Sequence, residues 1–169
     1  IAHVVVSPSG RQCACGQRGC LEAYIGAEGL VEAGRTIGVL KSGEALDQLA
    51  TCADNGDARA REVFARAAQR LAQAVAPVLA ALNPDVVVVA GEGVAFWRYW
   101  DTSFRNTLAH RLPHWMCHLP IEVDEWDDTS WARGAAALVL ATAFDRNAPA
   151  GEQRPQVLAR LHSSSKERR

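Results

Sequence analysis

One imidazole and three thiols lie within the first twenty residues of the chain, as His3, Cys13, Cys15 and Cys20. They follow one another with the spacing H-x9-C-x-C-x4-C. Zn²⁺ binds thiolate sulfur and imidazole nitrogen, and a closed shell of three cysteines and one histidine is typical of a structural site rather than a catalytic one. We therefore predict that these four residues hold one structural zinc ion.

Two glycines, Gly16 and Gly19, stand between Cys15 and Cys20 and would let the chain curl tightly enough for the sulfur atoms to converge. Two other interpretations stay open on the residues alone, a disulfide and a set of unligated thiols. The disulfide is disfavoured because Cys13 and Cys15 are too close in sequence to pair easily. Nothing else in the sequence indicates an oxidising compartment.

Length and composition favour one soluble domain with its own core. The chain has 169 residues, of which 49% are hydrophobic and 22% charged. A formal net charge of -1 argues against a broad nucleic-acid surface, which needs clustered Lys and Arg. No apolar run approaches the ~20 residues that cross a bilayer, and no signal peptide is evident. We expect a cytoplasmic protein without membrane partners.

The elements around the cysteines should position both His3 and a nearby carboxylate. Residues 1–6 are rich in β-branched side chains and predict a strand that carries His3. From Leu21 the apolar spacing predicts a helix with Glu22 near its start, weakened by Gly26 and Gly29.

Two further helices are predicted before the first buried strand. A short one covers about residues 44–52, after a cap at Ser42. A long one begins at the cap Asp57 and extends to about Leu82, with Pro77 expected to kink it or to end its regular part early.

The second half of the chain alternates strands and helices. Residues 85–90 form a β-branched run typical of a central parallel strand buried on both faces. Residues 94–111 predict a helix, residues 120–126 a second strand and residues 130–144 a final helix. This order is that of a doubly wound α/β lobe. We assign the lobe to residues 1–145 and predict a polar, mobile tail over residues 146–169.

A longer motif surrounds the cysteines. Residues 3–22 read H-x6-G-x2-C-x-C-G-x2-G-C-L-E. In spacing, ligand types, both glycines and the trailing Leu-Glu, this motif resembles the signature of the ROK family of repressors, unassigned reading frames and sugar kinases. The resemblance implies a ribonuclease H-like, actin-like ATPase fold of two lobes, of which this chain is the second and carries the zinc-binding loop. It also implies that His3 and Glu22 contact sugar hydroxyls, while a further family glutamate would fall before Ile1.

Gly91, Glu92 and Gly93 follow the predicted buried strand and form a weak nucleotide-binding candidate. Family kinases place ATP at this junction but tend toward an all-glycine loop. The carboxylate of Glu92 would repel a triphosphate if it pointed inward, which disfavours ATP.

Several parts of a complete regulator or kinase are expected to lie outside the chain. The chain begins at Ile1 within a predicted strand, so we expect it to be a piece of a longer protein. The resemblance places the kinase phosphate loop and catalytic aspartate in the first lobe, so we expect no catalytic residue and no kinase activity here. DNA would be bound only through a region outside this chain.

The resemblance favours a sugar-sensing, zinc-containing effector and dimerisation lobe of a ROK-family transcriptional regulator. Its expected partners are a small-molecule sugar and a second copy of the chain. The alternative is the C-terminal lobe of an ATP-dependent ROK sugar kinase, of the glucokinase or N-acetylmannosamine kinase type.

Overall fold

The structure, a computed structural model, describes residues 1–124 and 128–144. The chain divides into two units between residues 125 and 126, and the second unit contributes one described helix. The predicted tail, 146–169, lies outside the described residues. In chain order the elements are α1 (Glu22–Ile25), α2 (Ala27–Thr36), α3 (Leu46–Asp54), α4 (Ala58–Leu82), β1 (Val87–Val89), α5 (Trp97–Arg111), β2 (Ile121–Val123) and α6 (Asp128–Phe144).

Helix α4 is central to the first unit, because both hydrophobic clusters of that unit include side chains of α4. The first cluster joins α2, α3 and the N-terminal half of α4, with Phe64 fully buried and stacked 4.7 Å from the ring of Tyr99. The second cluster joins the C-terminal half of α4 to α5, where Phe104 and Leu108 are each 2% exposed. The aromatic residues of α5, among them Tyr99 and Phe104, therefore pack against these clusters.

The ends of α4 follow from local chemistry. Asp57 is its N-cap, as predicted, and its side chain accepts hydrogen bonds from the N–H groups of Arg59 and Ala60. The helix continues through Pro77 to Leu82, the predicted end, so of the two effects expected of Pro77 the early end of the regular helix was wrong. Packing of the surrounding turns on the second cluster offsets the hydrogen bond that Pro77 cannot donate.

Strands β1 and β2 pair in parallel, as predicted, with Val87 opposite Ile121. The prediction of a central strand buried on both faces was wrong for the part of the chain that the structure describes, where β1 pairs with β2 alone. Val87 packs against the second cluster, whereas Val88 points to the other face and is 56% exposed. Successive side chains of β1 thus alternate between a packed face and an open one.

Three predictions near the N-terminus were also corrected. Residues 1–6 form no regular strand, since their ladder is limited to one antiparallel bridge between Val5 and Cys20. The helix predicted from Leu21 is divided at Gly26, whose extended ψ of 161° ends α1 and begins α2. The cap of α3 is not Ser42 but Ala45, whose N–H donates to the Gln48 side chain at 2.8 Å.

The junction after β1 also differs from the predicted continuous helix. A 3-10 helix, Glu92–Phe96, comes first, and α5 begins only at Trp97. Across residues 1–124 and 128–144, no helix is both long enough and apolar enough to span a membrane.

Candidate functional site

Backbone hydrogen bonds bring the segment around His3 against the end of the cysteine loop, which we define as residues 10–20. The N–H of Leu21 donates to the carbonyl of Val4, and the N–H of Glu22 donates to the carbonyl of Ala2, both at 2.8 Å. These two bonds lie on either side of His3. His3 is therefore held beside the first turn of α1.

The cysteine loop is closed by its own backbone and by two left-handed glycines. The N–H of Cys13 donates to the carbonyl of Gln17 at 2.8 Å, which folds the loop over Gly16. Gly16 and Gly19 have φ values of +90° and +74°, a region that strains any residue with a Cβ. Gly19 is also packed so closely on Ser7 that a Cβ there would overlap the Ser7 carbonyl, whereas Gly16 faces open space.

The four predicted ligands converge. One ligand atom from each of His3, Cys13, Cys15 and Cys20 lies within 4.8 Å of the other three. The Cys15 and Cys20 sulfurs are 3.6 Å apart, and the Cys13 sulfur lies 3.7 Å from His3 Nδ1. Tetrahedral zinc with Zn–S bonds of about 2.3 Å would hold two sulfurs about 3.8 Å apart. The donor set therefore fits a tetrahedral metal ion.

The same distances exclude the disulfide alternative in this structure. A disulfide bond requires sulfur atoms about 2.05 Å apart. None of the five cysteines is in a disulfide, and the 3.6 Å between Cys15 and Cys20 is a non-bonded contact.

The thiols of the cluster differ in acidity. Burial, followed by the neighbouring Cys15 and Cys13 thiols, raises the pKa of Cys20 to about 11. The pKa of the exposed Cys15 is lowered, chiefly by a hydrogen bond from the Gln17 backbone. A buried group of thiols is hard to ionise without a cation, and a metal ion favours the thiolate form. A bound cation would therefore offset the cost of ionising the buried Cys20 thiol.

The two predicted sugar contacts, His3 and Glu22, are both exposed. His3 Nδ1 faces the Cys13 sulfur, so Nε2 is on the opposite side of the ring. Glu22 is exposed at the first position of α1, and its backbone is tied to the residue before His3. A Cβ on Gly26 would lie 2.5 Å from Glu22 Oε1, so the absence of a side chain at Gly26 leaves room for this carboxylate.

Sequence reasoning missed Arg11, which joins the cysteine loop to both helices that follow. Its guanidinium donates to the carbonyls of Ala23, at 3.3 Å, and Gly29, at 2.9 Å. Its N–H donates to the hydroxyl of Tyr24, a buried side chain of α1. No pattern in the sequence distinguishes Arg11 from Arg18, the other basic residue of the loop.

The predicted nucleotide-binding junction, Gly91 to Gly93, borders a mainly apolar cavity of 410 Å³ that is separate from the metal cluster. Gly93 and Trp97 are in its wall, and neither His3 nor Glu22 is. Gly91 adopts a φ of +104° just before the 3-10 helix, and the side chain of Glu92 lies outside the described residues. The structure therefore does not bring the three junction residues together with the metal cluster.

The family model of the ROK family matches residues 1–142. The chain belongs to the ROK family. Its mixture of helices with a parallel strand pair agrees with the α/β fold of that family.

Two relatives differ in function. The DNA-binding transcriptional dual regulator NagC of Escherichia coli (strain K12) is 30% identical over 149 residues, which cover 82% of this chain and 36% of NagC. The N-acetylmannosamine kinase of Escherichia coli O1:K1 / APEC is 34% identical over 91 residues, which cover 54% of this chain and 30% of the kinase. The chain thus spans about a third of the length of these relatives.

The fold is similar to that of solved ROK proteins. A ROK family transcriptional regulator, a homologue of the E. coli MLC protein, matches with a TM-score of 0.67 and 22% identity, covering 80% of this chain and 36% of that one. At this identity the likeness establishes the fold alone.

Gly19→Ala should destabilise the chain more than Gly16→Ala does. Both replacements strain a left-handed residue, at a cost of about 1 kcal/mol. Only the Cβ at position 19 would also displace the Ser7 carbonyl. The difference in unfolding free energy between the two variants, measured by urea unfolding, reports the overlap with Ser7 alone. Equal losses of unfolding free energy would contradict the packing of Gly19 on Ser7.

Proposed function

We propose that His3, Cys13, Cys15 and Cys20 hold one structural zinc ion in this ROK chain. The donor set is soft, the four ligand atoms lie within 4.8 Å of one another, and two of the sulfurs are buried. Bound zinc would supply the cation that stabilises the thiolates. The chain's own contribution is a loop already closed by the Cys13–Gln17 hydrogen bond.

We further propose that His3 and Glu22 contact the hydroxyl groups of a sugar. The observation that supports this proposal is the bond between the Glu22 N–H and the Ala2 carbonyl, which brings the backbone of exposed Glu22 close to that of exposed His3. With Nδ1 of His3 directed at the sulfurs, Nε2 is oriented for a ligand hydroxyl. A carboxylate beside it accepts hydrogen bonds from further hydroxyls.

The biological role that we propose is a sugar-sensing lobe of a transcriptional regulator that associates as a dimer. NagC is similar to this chain over 82% of its residues, against 54% for the N-acetylmannosamine kinase. Glu92 in the glycine junction adds negative charge where a kinase would hold nucleotide phosphates. The kinase alternative is supported by its somewhat higher identity, 34% over the shared 91 residues.

Cys15→Ser should remove the metal, whereas Cys52→Ser, outside the cluster, should retain it. Elemental analysis of the purified chain should give about one zinc per molecule. Loss of one of four ligands leaves an open, weaker site. Absence of zinc from freshly purified unmodified chain, or full zinc in the Cys15→Ser variant, would be incompatible with this assignment.

Glu22→Gln should weaken sugar binding while leaving the zinc content unchanged. Titration calorimetry with glucose, N-acetylglucosamine and N-acetylmannosamine should identify a binding sugar, whose affinity falls about tenfold in the variant because a charged acceptor is lost. Glu28→Gln, at an exposed glutamate in the first turn of α2, serves as the matched control. Heat from none of the three sugars with the full-length protein would instead favour a zinc-containing interaction module.

The genomic sequence upstream of the Ile1 codon separates the regulator from the kinase. A regulator is expected to encode a helix-turn-helix segment ahead of both lobes. A D-x-G-x-T phosphate loop with a catalytic aspartate and no such segment would reject the regulator. Because this readout is independent of sugar affinity, it tests the class of protein and not the contacts of Glu22.

A further inference from the structure

A second cavity, of 530 Å³, lies between α2 and α4, and neither His3 nor Glu22 is in its wall. Its charged lining is made of four arginines, Arg11, Arg59, Arg66 and Arg70, against one glutamate, Glu62. The volume is within the usual range for small-molecule sites. The strong excess of guanidinium groups indicates an anionic ligand.

The arginines differ in how far their charges are already neutralised. Arg59 pairs with Asp57 at 3.0 Å, Arg66 with Glu62 at 2.6 Å and Arg11 with Glu32 at 4.0 Å, and each pair has at least one exposed side chain. Exposed pairs of this kind contribute little and exchange readily with solvent. Within the part of the chain that the structure describes, no carboxylate forms an ion pair with Arg70.

Arg70 is held in place by an aromatic ring. Its Cζ lies 3.9 Å from the centroid of the Tyr24 ring, and the Cζ of Arg11 lies 5.3 Å from the same centroid. Tyr24 is 9% exposed, and its hydroxyl accepts a hydrogen bond from the Arg11 N–H. Stacking on a fixed ring orients the planar guanidinium, and Arg70 is part of the cavity lining.

The electrostatics of this stack agree with an anion site. Burial, followed by the charges of Arg11 and Arg66, lowers the pKa of Arg70, while Tyr24 acts in the opposite direction. Burial also opposes ionisation of Tyr24, yet the Arg11 N–H, Ser7 and both guanidiniums lower its pKa overall. Like charges are therefore concentrated here, and an anion would relieve their repulsion.

The remaining lining identifies the kind of anion. Ile37, Val63 and Ala67 give the cavity an apolar wall beside the arginines. Guanidinium forks match the geometry of phosphate oxygens, and an apolar wall suits the carbon part of a ligand. We propose that this cavity binds the phosphate group of a small phosphorylated organic molecule, with Arg70 as its principal contact and Arg66 at the rim.

The proposal is tested by titration calorimetry of the 169-residue chain at low, constant ionic strength. The probes are inorganic phosphate, phenyl phosphate and phenol. Both phosphates should bind and phenol should not. Tighter binding of phenyl phosphate identifies an organic ester as the ligand class, whereas equal affinities identify free phosphate.

Arg70→Gln should weaken phenyl phosphate binding about 10- to 100-fold, because a charge-assisted contact to phosphate is lost. Arg35→Gln removes the same charge from α2 outside the cavity and should leave the affinity unchanged. Arg66→Gln, at a side chain that is 70% exposed, keeps the test valid if the Arg70 variant fails to fold, and should cost about two- to fivefold.

Binding of neither phosphate would overturn the proposal. Equal losses in the Arg70→Gln and Arg35→Gln variants would also overturn it, since they would reveal only a general effect of charge. The outcome is independent of sugar binding at His3 and Glu22, because the two sites share no residue.

Discussion

The backbone hydrogen bonds between the first six residues and the end of the cysteine loop are the interaction on which the metal cluster depends. His3 belongs to the first of the two paired segments and Cys20 to the second. Cys20 itself forms the antiparallel bridge with Val5. Without it, the histidine would be separated from the three thiols by a flexible stretch of chain. The pairing also joins Glu22 to Ala2, so the metal ligands and the exposed carboxylate are positioned by one set of bonds.

The metal ligands could be predicted from sequence because their chemistry is visible in residue type and spacing. Three thiols and an imidazole within 18 residues limit the interpretations to a few, whatever the surrounding fold. Arg11 gives no such signal. Its acceptors, the carbonyls of Ala23 and Gly29, are brought near it only by the bend at Gly26, so its role depends on tertiary structure.

The helices were predicted more accurately than the strands for a similar reason. The Asp57 cap and the apolar spacing of α4 are local, and both ends of that helix agree with the prediction. The burial of a strand depends on which elements lie above and below it. The β-branched run at residues 85–90 indicates that a strand forms but not how many neighbours cover it, so Val88 was expected to be buried and is 56% exposed.

Helix α4 has consequences for the entropy of folding. Many of the side chains that it buries are alanines, including Ala60, Ala67, Ala68, Ala72 and Ala76. Alanine loses no rotamer freedom on burial, so ordering this face has a small side-chain entropy cost. The same methyl groups remove little area from water, so larger buried side chains such as Phe64, Phe104 and Leu108 contribute more apolar area per residue. Helix α4 therefore presents a face of mostly small side chains that is ordered at a low entropy cost. The specificity of packing comes largely from the bigger side chains that contact this face.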